Sequence, residues 1–515
     1  MSPIRAPKRS RFAGRRLSFG RLVLSVAAIV LIPTSVAAVT LLPGLPRTAQ
    51  GISADGRWFA SYYDVTLESG AQLARSPLGD AAGGAVLAFV VAADKTNCTP
   101  TWGKAYSLDE AAQTFQLDRR VERMRREGRP LAISFGGAIN TELAEACTDV
   151  NDLTDAYRTV MNRYGIDVMD LDLEGTQLVD NDSSRRRATA VARLQAERRA
   201  DDRALDVWLT LPVAPSGLTP AGTAQVERML SAGVNLAGVN LMTMNYGTNG
   251  KVAPQASLSV DALQATAEQL TTIWGKHKVA LPAAGVWSLL GATPMIGRND
   301  VEGEVFTTDD AVALNTFAAA QGVARLSMWS LNRDQTCGSN YPNIDIVATS
   351  CSGIEQGGLR FRDLLAQGYE GTPSGKPARA SAAEVVPDDP ATSPYPVWSS
   401  RTYYSAGIMV VWKGSVYASK WWNEDGATPD DPTLDAAGSA WTYIGPVLTT
   451  DTPFSLPKLD PGTYPEWKAT TLYDQGDRVL LDGTGYEARW WSKAKNPGLS
   501  VLDHDYSPWK LITDG

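Results

Sequence analysis

Four acidic residues lie in a short and otherwise apolar run of the sequence, Asp167-Val-Met-Asp170-Leu-Asp172-Leu-Glu174. Side chains of a β-strand alternate between its two faces, so Asp170, Asp172 and Glu174 would share one face. Three carboxyl groups in a row on a buried strand repel one another strongly if all are ionised, which indicates a chemical role. The chemical alternative to an acid is a cation site, and three carboxylates without histidine suit Mg²⁺ or Ca²⁺ better than zinc.

The elements that would position these carboxylates alternate along the chain from Trp58 to about Leu365. Polar, Ala- and Arg-rich stretches that suit surface helices separate apolar, strand-like runs. The runs are 58–65, 85–93, 130–137, 166–175, 205–213, 238–247, 278–288 and 325–332. This count predicts an α/β fold, a (β/α)8 TIM barrel over residues 52–370, with Glu174 toward the C-terminal end of the fourth strand, where barrel enzymes carry their chemistry. A doubly wound sheet is the structural alternative, but no GxGxxG follows the first strand.

The spacing of the carboxylates restricts the mechanism they could serve. Residues i and i+2 of one strand are about 6.5–7 Å apart and project to the same side of a substrate. In the two-carboxylate scheme of glycoside hydrolysis, a protein nucleophile lies on the opposite face of the sugar ring from the general acid. One strand cannot easily provide both groups. Glu174 as acid, with Asp172 orienting a nucleophile of the substrate such as a 2-acetamido group, would resolve this difficulty.

Three more motifs follow the order expected of one enzyme family. They are Ser134-Phe-Gly136-Gly137 in the third run, Met242-Thr-Met244-Asn245-Tyr246 in the sixth, and Ser327-Met-Trp329-Ser-Leu-Asn in the eighth. With the DxxDxDxE run, they resemble the motifs of glycoside hydrolase family 18, the chitinases and related enzymes. The resemblance covers about 52–370, and the pattern is most similar to the bacterial and archaeal chitinase branch.

This resemblance implies a role for each matching residue. Glu174 would be the acid/base, Asp172 would hold the acetamido nitrogen and stabilise an oxazolinium ion, and Asp170 would share a proton with Asp172. Trp329 would form the floor of the −1 sugar subsite. Asp167 breaks the alternation of the strand, and we interpret it as structural. No cofactor and no metal are implied.

The sixth motif departs from the family pattern at one position. Asn245 stands where the family often has aspartate. Its amide can hydrogen-bond an acetamide or a hydroxyl, but it cannot carry charge, which bears on the activity level and the pH profile. Met244, Asn245 and Tyr246 are the predicted substrate-binding residues of this strand.

The C-terminal part contains an internal repeat rich in tryptophan. Nine of the 15 tryptophans fall between Trp398 and Trp509. Seven residues recur 69 positions later, namely Trp398, Tyr404, Gly407, Val410, Tyr417, Trp421 and Trp422 as Trp467, Tyr473, Gly476, Val479, Tyr486, Trp490 and Trp491. Each unit is short and free of cysteine, so we expect two compact, three-stranded modules with minimal cores.

The repeats resemble chitin-binding modules of carbohydrate-binding family 5/12, whose AKWW-like signature matches Ser419-Lys-Trp421-Trp422 and Ala488-Arg-Trp490-Trp491. In each pair one indole could be core and the other exposed, while Trp398, Trp441, Trp467 and Trp509 are predicted core residues. The expected boundaries are a linker at 371–395, module 1 at 396–446, a shorter linker at 447–463 and module 2 at 464–515. The Pro-, Ala-, Ser- and Thr-rich first linker predicts modules that are tethered and not packed into the barrel core.

The N-terminus predicts export. Basic residues without any acid precede an uncharged run from Leu22 to Pro46, so residues 1–50 are expected to be a signal peptide or an uncleaved signal anchor. After position 50, 40 basic and 56 acidic residues leave a net charge of −16, which disfavours nucleic acid as a partner. Export permits disulfides, and nearest-neighbour pairing of the four cysteines, Cys98 with Cys147 and Cys337 with Cys351, is the simplest connectivity of three.

The resemblance implies a secreted or membrane-anchored extracytoplasmic chitinase that hydrolyses β-1,4 N-acetylglucosamine linkages with retention. Its partners would be chitin and N-acetylglucosamine oligomers, and the chain would be a monomer. A non-catalytic glycan-binding protein and an endo-β-N-acetylglucosaminidase are the alternatives. The retained Glu174 argues against the first, and the paired modules argue against the second.

Overall fold

The computed structural model describes residues 56–67, 83–247, 254–339, 341, 343, 346–373, 388–423, 426–431, 434 and 438–513. The predicted signal segment at 1–50 and most of the predicted linker, 374–387, lie outside the described residues. Within the described ranges, no helix is both long and apolar enough to cross a membrane.

The larger part of the described chain is a barrel of parallel strands surrounded by helices. In chain order its strands are β1 (Trp58–Asp64), β2 (Gly84–Asp94), β3 (Asn97–Trp102), β4 (Tyr106–Ser107), β5 (Leu131–Gly136), β6 (Val168–Asp172), β7 (Asp206–Ala214), β8 (Gly217–Leu218), β9 (Leu236–Met242), β10 (Leu290–Ala292), β11 (Gly297–Arg298), β12 (Val305–Phe306) and β13 (Arg325–Leu326). The helices are α1 (Leu108–Phe115), α2 (Leu117–Arg126), α3 (Leu143–Ala146), α4 (Val150–Tyr164), α5 (Asn181–Ala200), α6 (Pro220–Ser231), α7 (Gln255–Lys276), α8 (Thr308–Gln321) and α9 (Phe361–Leu365).

Eight of these strands close the barrel. In order around it they are β1, β2, β5, β6, β7, β9, β10 and β13, each parallel to the next, and β13 pairs back to β1. The predicted (β/α)8 barrel is therefore confirmed. Strand β6, the fourth of the eight, is buried along its whole length and ends at Asp172.

The seventh strand differs from its sequence prediction. The run 278–288 was expected to form it, but the barrel strand is the following segment, β10. Pro282 lacks an amide hydrogen, Gly285 has a positive φ of 83°, and both interrupt an extended chain. Val279 and Leu281 are exposed instead of buried, and a 3-10 helix at Val286–Leu289 leads into β10.

The C-terminal part forms two small β modules built alike. Module 1 contains β14 (Met409–Trp412), β15 (Ser415–Ser419) and β16 (Trp441–Pro446), which pair antiparallel. Module 2 contains the pair β17 (Leu472–Tyr473) and β20 (Ser492–Lys493), and the sheet of β18 (Arg478–Leu481), β19 (Thr484–Ala488) and β21 (Trp509–Leu511).

The repeat seen in the sequence is also a repeat of register and core. Val410 pairs with Tyr417 in module 1, and Val479 pairs with Tyr486 in module 2. The predicted core tryptophans behave as expected, because Trp441 and Trp509 are buried and Trp398 and Trp467 pack against the two small cores. Each module therefore has its own minimal core.

Module 1 packs against the outside of the barrel, which the composition of the linker did not predict. The buried side chain of Arg119 on α2 holds both carboxylate oxygens of Asp451, in the segment that follows module 1, at 2.7 and 3.0 Å. The guanidinium of Arg123 lies 4.6 Å from the ring centre of Tyr443. Gly445 permits the close approach, since a Cβ there would lie 2.5 Å from the carbonyl oxygen of Arg119. Specific contacts thus hold the module on the barrel wall.

The two predicted disulfides are confirmed. Cys98 on β3 is bonded to Cys147 after α3, and Cys337 is bonded to Cys351 in the loop that follows the eighth barrel strand. Both link segments near the carboxyl ends of the strands, where loops carry the candidate site.

Candidate active site

The candidate site lies at the carboxyl ends of the barrel strands. Side chains from several strands and loops line a cavity of about 340 Å³. Those central to its chemistry are Tyr62, Phe89, Asp172, Glu174, Met244, Asn245, Asp300 and Trp329. The cavity therefore contains two of the three predicted carboxylates and the predicted tryptophan.

Asp170, the innermost carboxylate, is fully buried and does not line the cavity. Its two oxygens accept four hydrogen bonds of 2.7–2.8 Å, from Arg325, Thr210, Ser134 and Tyr62. The ion pair with Arg325 has no exposure on either side. These donors occupy the positions that a cation would need, so the geometry argues against a metal site here.

Asp172 is the next carboxylate along β6, and it has a different environment. It is 4% exposed, and its Oδ1 has no hydrogen-bond partner among the described residues. Burial, the charge of Glu174 and the charge of Asp170 raise the pKa of Asp172 well above its usual range. Asp172 is therefore a neutral carboxylic acid over an extended pH range, with one oxygen available to a ligand.

Glu174 lies just beyond the end of β6, at the start of the 3-10 helix Gly175–Leu178. Burial raises its pKa, and the nearby carboxylate of Asp300 raises it further. Gln177 fixes this turn to the third barrel strand, because its side-chain amide donates to the carbonyl of Gly137 at 3.0 Å. The arrangement keeps the carboxyl at the edge of the cavity protonated to a higher pH than an ordinary glutamate.

The Ser-x-Gly-Gly motif has a physical explanation in this packing. Ser134 donates to Asp170, as described above. Gly136 has a φ of 106°, and a Cβ there would lie 2.1 Å from the carbonyl oxygen of Asp172. Only glycine allows β5 to approach β6 this closely.

Asn245 holds a neighbouring carboxylate in place. Its side-chain amide donates to Asp300 at 3.1 Å, and its side-chain oxygen accepts from the backbone of Asp300 at 2.9 Å and of Val301 at 3.3 Å. The sequence has asparagine where a family 18 enzyme often has aspartate, and a carboxylate from another loop is bonded to that asparagine. Asp300 thus restores a negative charge to this side of the cavity.

The floor of the cavity is aromatic. The indole of Trp329 stacks with Phe89 at 5.5 Å between ring centres and meets the edge of Tyr62 at 6.1 Å. Met244 also lines the cavity. Tyr246 is placed differently, since its hydroxyl lies 3.3 Å from Ser259 of α7 and it does not line the cavity.

Sequence reasoning missed five residues of the site, namely Tyr62, Phe89, Thr210, Asp300 and Arg325. One signal was available for Arg325, because a charged residue that begins an apolar barrel strand requires a buried counter-charge. No comparable signal marked Asp300, which reaches the site through a loop.

The predicted glycan-binding tryptophans are placed unequally. Trp421, Trp490 and Trp491 are exposed, whereas Trp422 is half-buried. The expected division of each pair into one inner and one outer indole holds in module 1 only.

Removing one partner of the Asp170–Arg325 pair should destabilise the barrel. Asp170→Asn leaves the guanidinium buried without its counter-charge, so we expect the free energy of unfolding to fall by about 3–5 kcal/mol. Arg325→Met should cost a similar amount, and the double variant should cost less than the sum of both. Denaturant unfolding measures this, with Asp261→Asn, which replaces an exposed aspartate on α7, as control. Strictly additive losses would contradict a direct pairwise coupling.

The comparisons with known proteins agree with this geometry. Residues 466–510 match carbohydrate-binding module family 5/12. The chain is 35% identical over 286 residues to the probable bifunctional chitinase/lysozyme of Escherichia coli (strain K12), which covers 55% of this chain and 31% of that protein. It is 33% identical over 280 residues to endochitinase 11 of Metarhizium anisopliae, which covers 54% of this chain and 52% of that protein.

Solved structures give the same result for the barrel. The catalytic domain of a hyperthermophilic chitinase from Pyrococcus furiosus aligns with a TM-score of 0.50 at 25% identity, covering 62% of this chain and 98% of that one. The chain thus spans between a third and about half of its two curated relatives and nearly all of a solved chitinase domain. The barrel is similar in sequence and in fold to chitinases, and the C-terminal unit matches a family of carbohydrate-binding modules.

Proposed function

We propose that this protein is a secreted chitinase that cleaves β-1,4 bonds between N-acetylglucosamine units with retention of anomeric configuration. The observation that carries the proposal is that three successive carboxyl groups, at the end of β6 and just beyond it, lie in three different environments. Asp170 is paired with a cation, Asp172 is buried with a free oxygen, and Glu174 lies at the cavity edge with a raised pKa. The similarity to chitinases supports the choice of substrate.

In this mechanism Glu174 is the general acid. Its raised pKa keeps the carboxyl protonated, and the proton passes to the oxygen of the scissile glycosidic bond as the bond to C1 breaks. The departing sugar is then an alcohol. Glu174, now a carboxylate, takes a proton from the water that completes the reaction.

The nucleophile belongs to the substrate. The carbonyl oxygen of the 2-acetamido group attacks C1 from the face opposite to the leaving group and forms an oxazolinium ion. The free oxygen of Asp172 accepts a hydrogen bond from the N–H of that acetamido group and so orients its carbonyl oxygen toward C1. Asp170 stays paired with Arg325. The charges that develop in the cavity are therefore the carboxylate of Glu174 and the positive charge of the oxazolinium ion, and each offsets the other.

The aromatic floor supports the same substrate. A flat indole backed by Phe89 and Tyr62 presents an apolar face to the −1 sugar ring. Asn245 is engaged with the 300–301 turn, so its proposed contact with the sugar is indirect, through Asp300.

Export through the basic N-terminal segment is consistent with two disulfides in the barrel loops.

Replacing the acid should abolish proton delivery without loss of binding. Glu174→Gln keeps the shape of the side chain, and we expect turnover of chitin oligomers to fall roughly 10²–10⁴-fold or more. Product analysis by chromatography measures the rate, and binding of the same oligomer to the variant is the control. Wild-type-like turnover by the variant would rule out Glu174 as the acid.

The carboxylate of Asp300 should determine the pH at which activity is lost on the alkaline side. A negative charge at Asp300 raises the pKa of Glu174, so Asp300→Asn lowers that pKa, and the acid loses its proton at a lower pH. We therefore expect the alkaline limb of the kcat/KM profile to move toward lower pH.

Glu302→Gln is the matched control for this experiment, because it removes one exposed negative charge from the same loop. Its profile should follow the wild type closely. If the pH profile of Asp300→Asn coincides with those of the wild type and of Glu302→Gln, the carboxylate of Asp300 does not raise the pKa of Glu174.

A further inference from the structure

The two modules are joined to each other by specific contacts. The backbone N–H of Ser405 in module 1 donates to the carbonyl of Leu502 in module 2 at 2.9 Å. The Ser405 hydroxyl accepts from the backbone of Asp505 at 3.2 Å and lies 3.3 Å from a carboxylate oxygen of Asp503. The Leu502 side chain packs against the core of module 1. Module 2 thus inserts part of its last loop into module 1.

This docking assembles a row of aromatic rings from both modules. Tyr506 of module 2 meets the edge of Trp422 of module 1 at 5.4 Å between ring centres, with the planes at 66°. The ring of Tyr403 stacks on the same indole, with 5.7 Å between the ring centres and 8° between the ring planes. Tyr403 and Tyr506 remain 47% and 65% exposed. The row therefore presents two accessible rings, both in contact with the same half-buried indole.

The row has no counterpart in module 2. The position 69 residues after Tyr403 is Leu472, an exposed aliphatic side chain, and the position after Trp422 is Trp491, which is also exposed. Despite the sequence repeat, the two modules present different surfaces. The difference depends on Tyr506, which only the docked arrangement brings to module 1.

We propose that Tyr403, Trp422 and Tyr506 form a composite glycan-binding site that exists only while the two modules are docked, with a chain of N-acetylglucosamine units as its ligand. Exposed aromatic rings on a soluble protein mark a binding surface, and each phenol adds a hydroxyl that can hydrogen-bond a sugar. The choice of ligand rests on the proposed function and on the carbohydrate-binding family matched by the segment that contains Tyr506.

The test measures binding to chitin particles in the full chain carrying Glu174→Gln, so that the substrate is not consumed. Tyr506→Ala should weaken binding about tenfold, as expected for the loss of one stacking ring, whereas Tyr506→Phe should retain binding. Leu472→Ala, which removes an exposed apolar side chain outside the site, is the matched control and should bind like the parent. The double variant Trp422→Ala and Tyr506→Ala should weaken binding by a smaller factor than the product of the two single fold-changes, because both substitutions remove the same site.

Small-angle X-ray scattering separates loss of the ring from loss of docking. If scattering shows that the Tyr506→Ala protein is expanded, the binding test is repeated with Tyr506→Leu. Leucine keeps an apolar contact with Trp422 but has no aromatic face. A docked Tyr506 variant that binds chitin as tightly as the parent would overturn the composite site. Absence of chitin binding by the parent itself would instead contradict the proposed function.

Discussion

The buried ion pair between Asp170 and Arg325 is the interaction on which the site depends. Removing two charges from water costs several kcal/mol for each ion, and only excellent geometry repays it. Here the carboxylate takes four hydrogen bonds and the guanidinium also contacts Tyr62 and Ser327. The ion pair holds an ionised carboxylate two residues before Asp172 on β6. The charge of Asp170 contributes to the raised pKa of Asp172, and Arg325 offsets part of that effect.

Much of this could be predicted from the sequence, since it follows from local pattern. The alternation of polar and apolar residues places Asp170, Asp172 and Glu174 on one face, and eight β units predict a closed barrel. What the sequence did not give depends on distant packing. Arg325 lies 155 residues from Asp170, and Asp300 comes from an irregular loop. The seventh strand was assigned to 278–288 because that run is apolar, but its proline and glycine prevent the extended pairing that β10 makes.

The C-terminal modules illustrate the same limit. The offset of 69 residues predicted two similar cores, and both exist. It carries no information about contacts between the units, but module 1 packs on α2 of the barrel, and Leu502 of module 2 packs against the core of module 1. Contacts between repeats are made by residues that do not repeat, such as Ser405, whose counterpart is Asp474. The repeat therefore reveals the cores but not the surfaces between them.

The central claim is that Asp172 and Glu174 support a nucleophile of the substrate, so that cleavage retains the anomeric configuration. Proton NMR of a chitin oligomer digest, recorded within the first minutes and before mutarotation, measures the configuration of the new reducing end. With a substrate nucleophile, the β-anomer forms first and then equilibrates. Initial formation of the α-anomer would mean that a water molecule attacks C1 directly, which would contradict a substrate nucleophile held by Asp172.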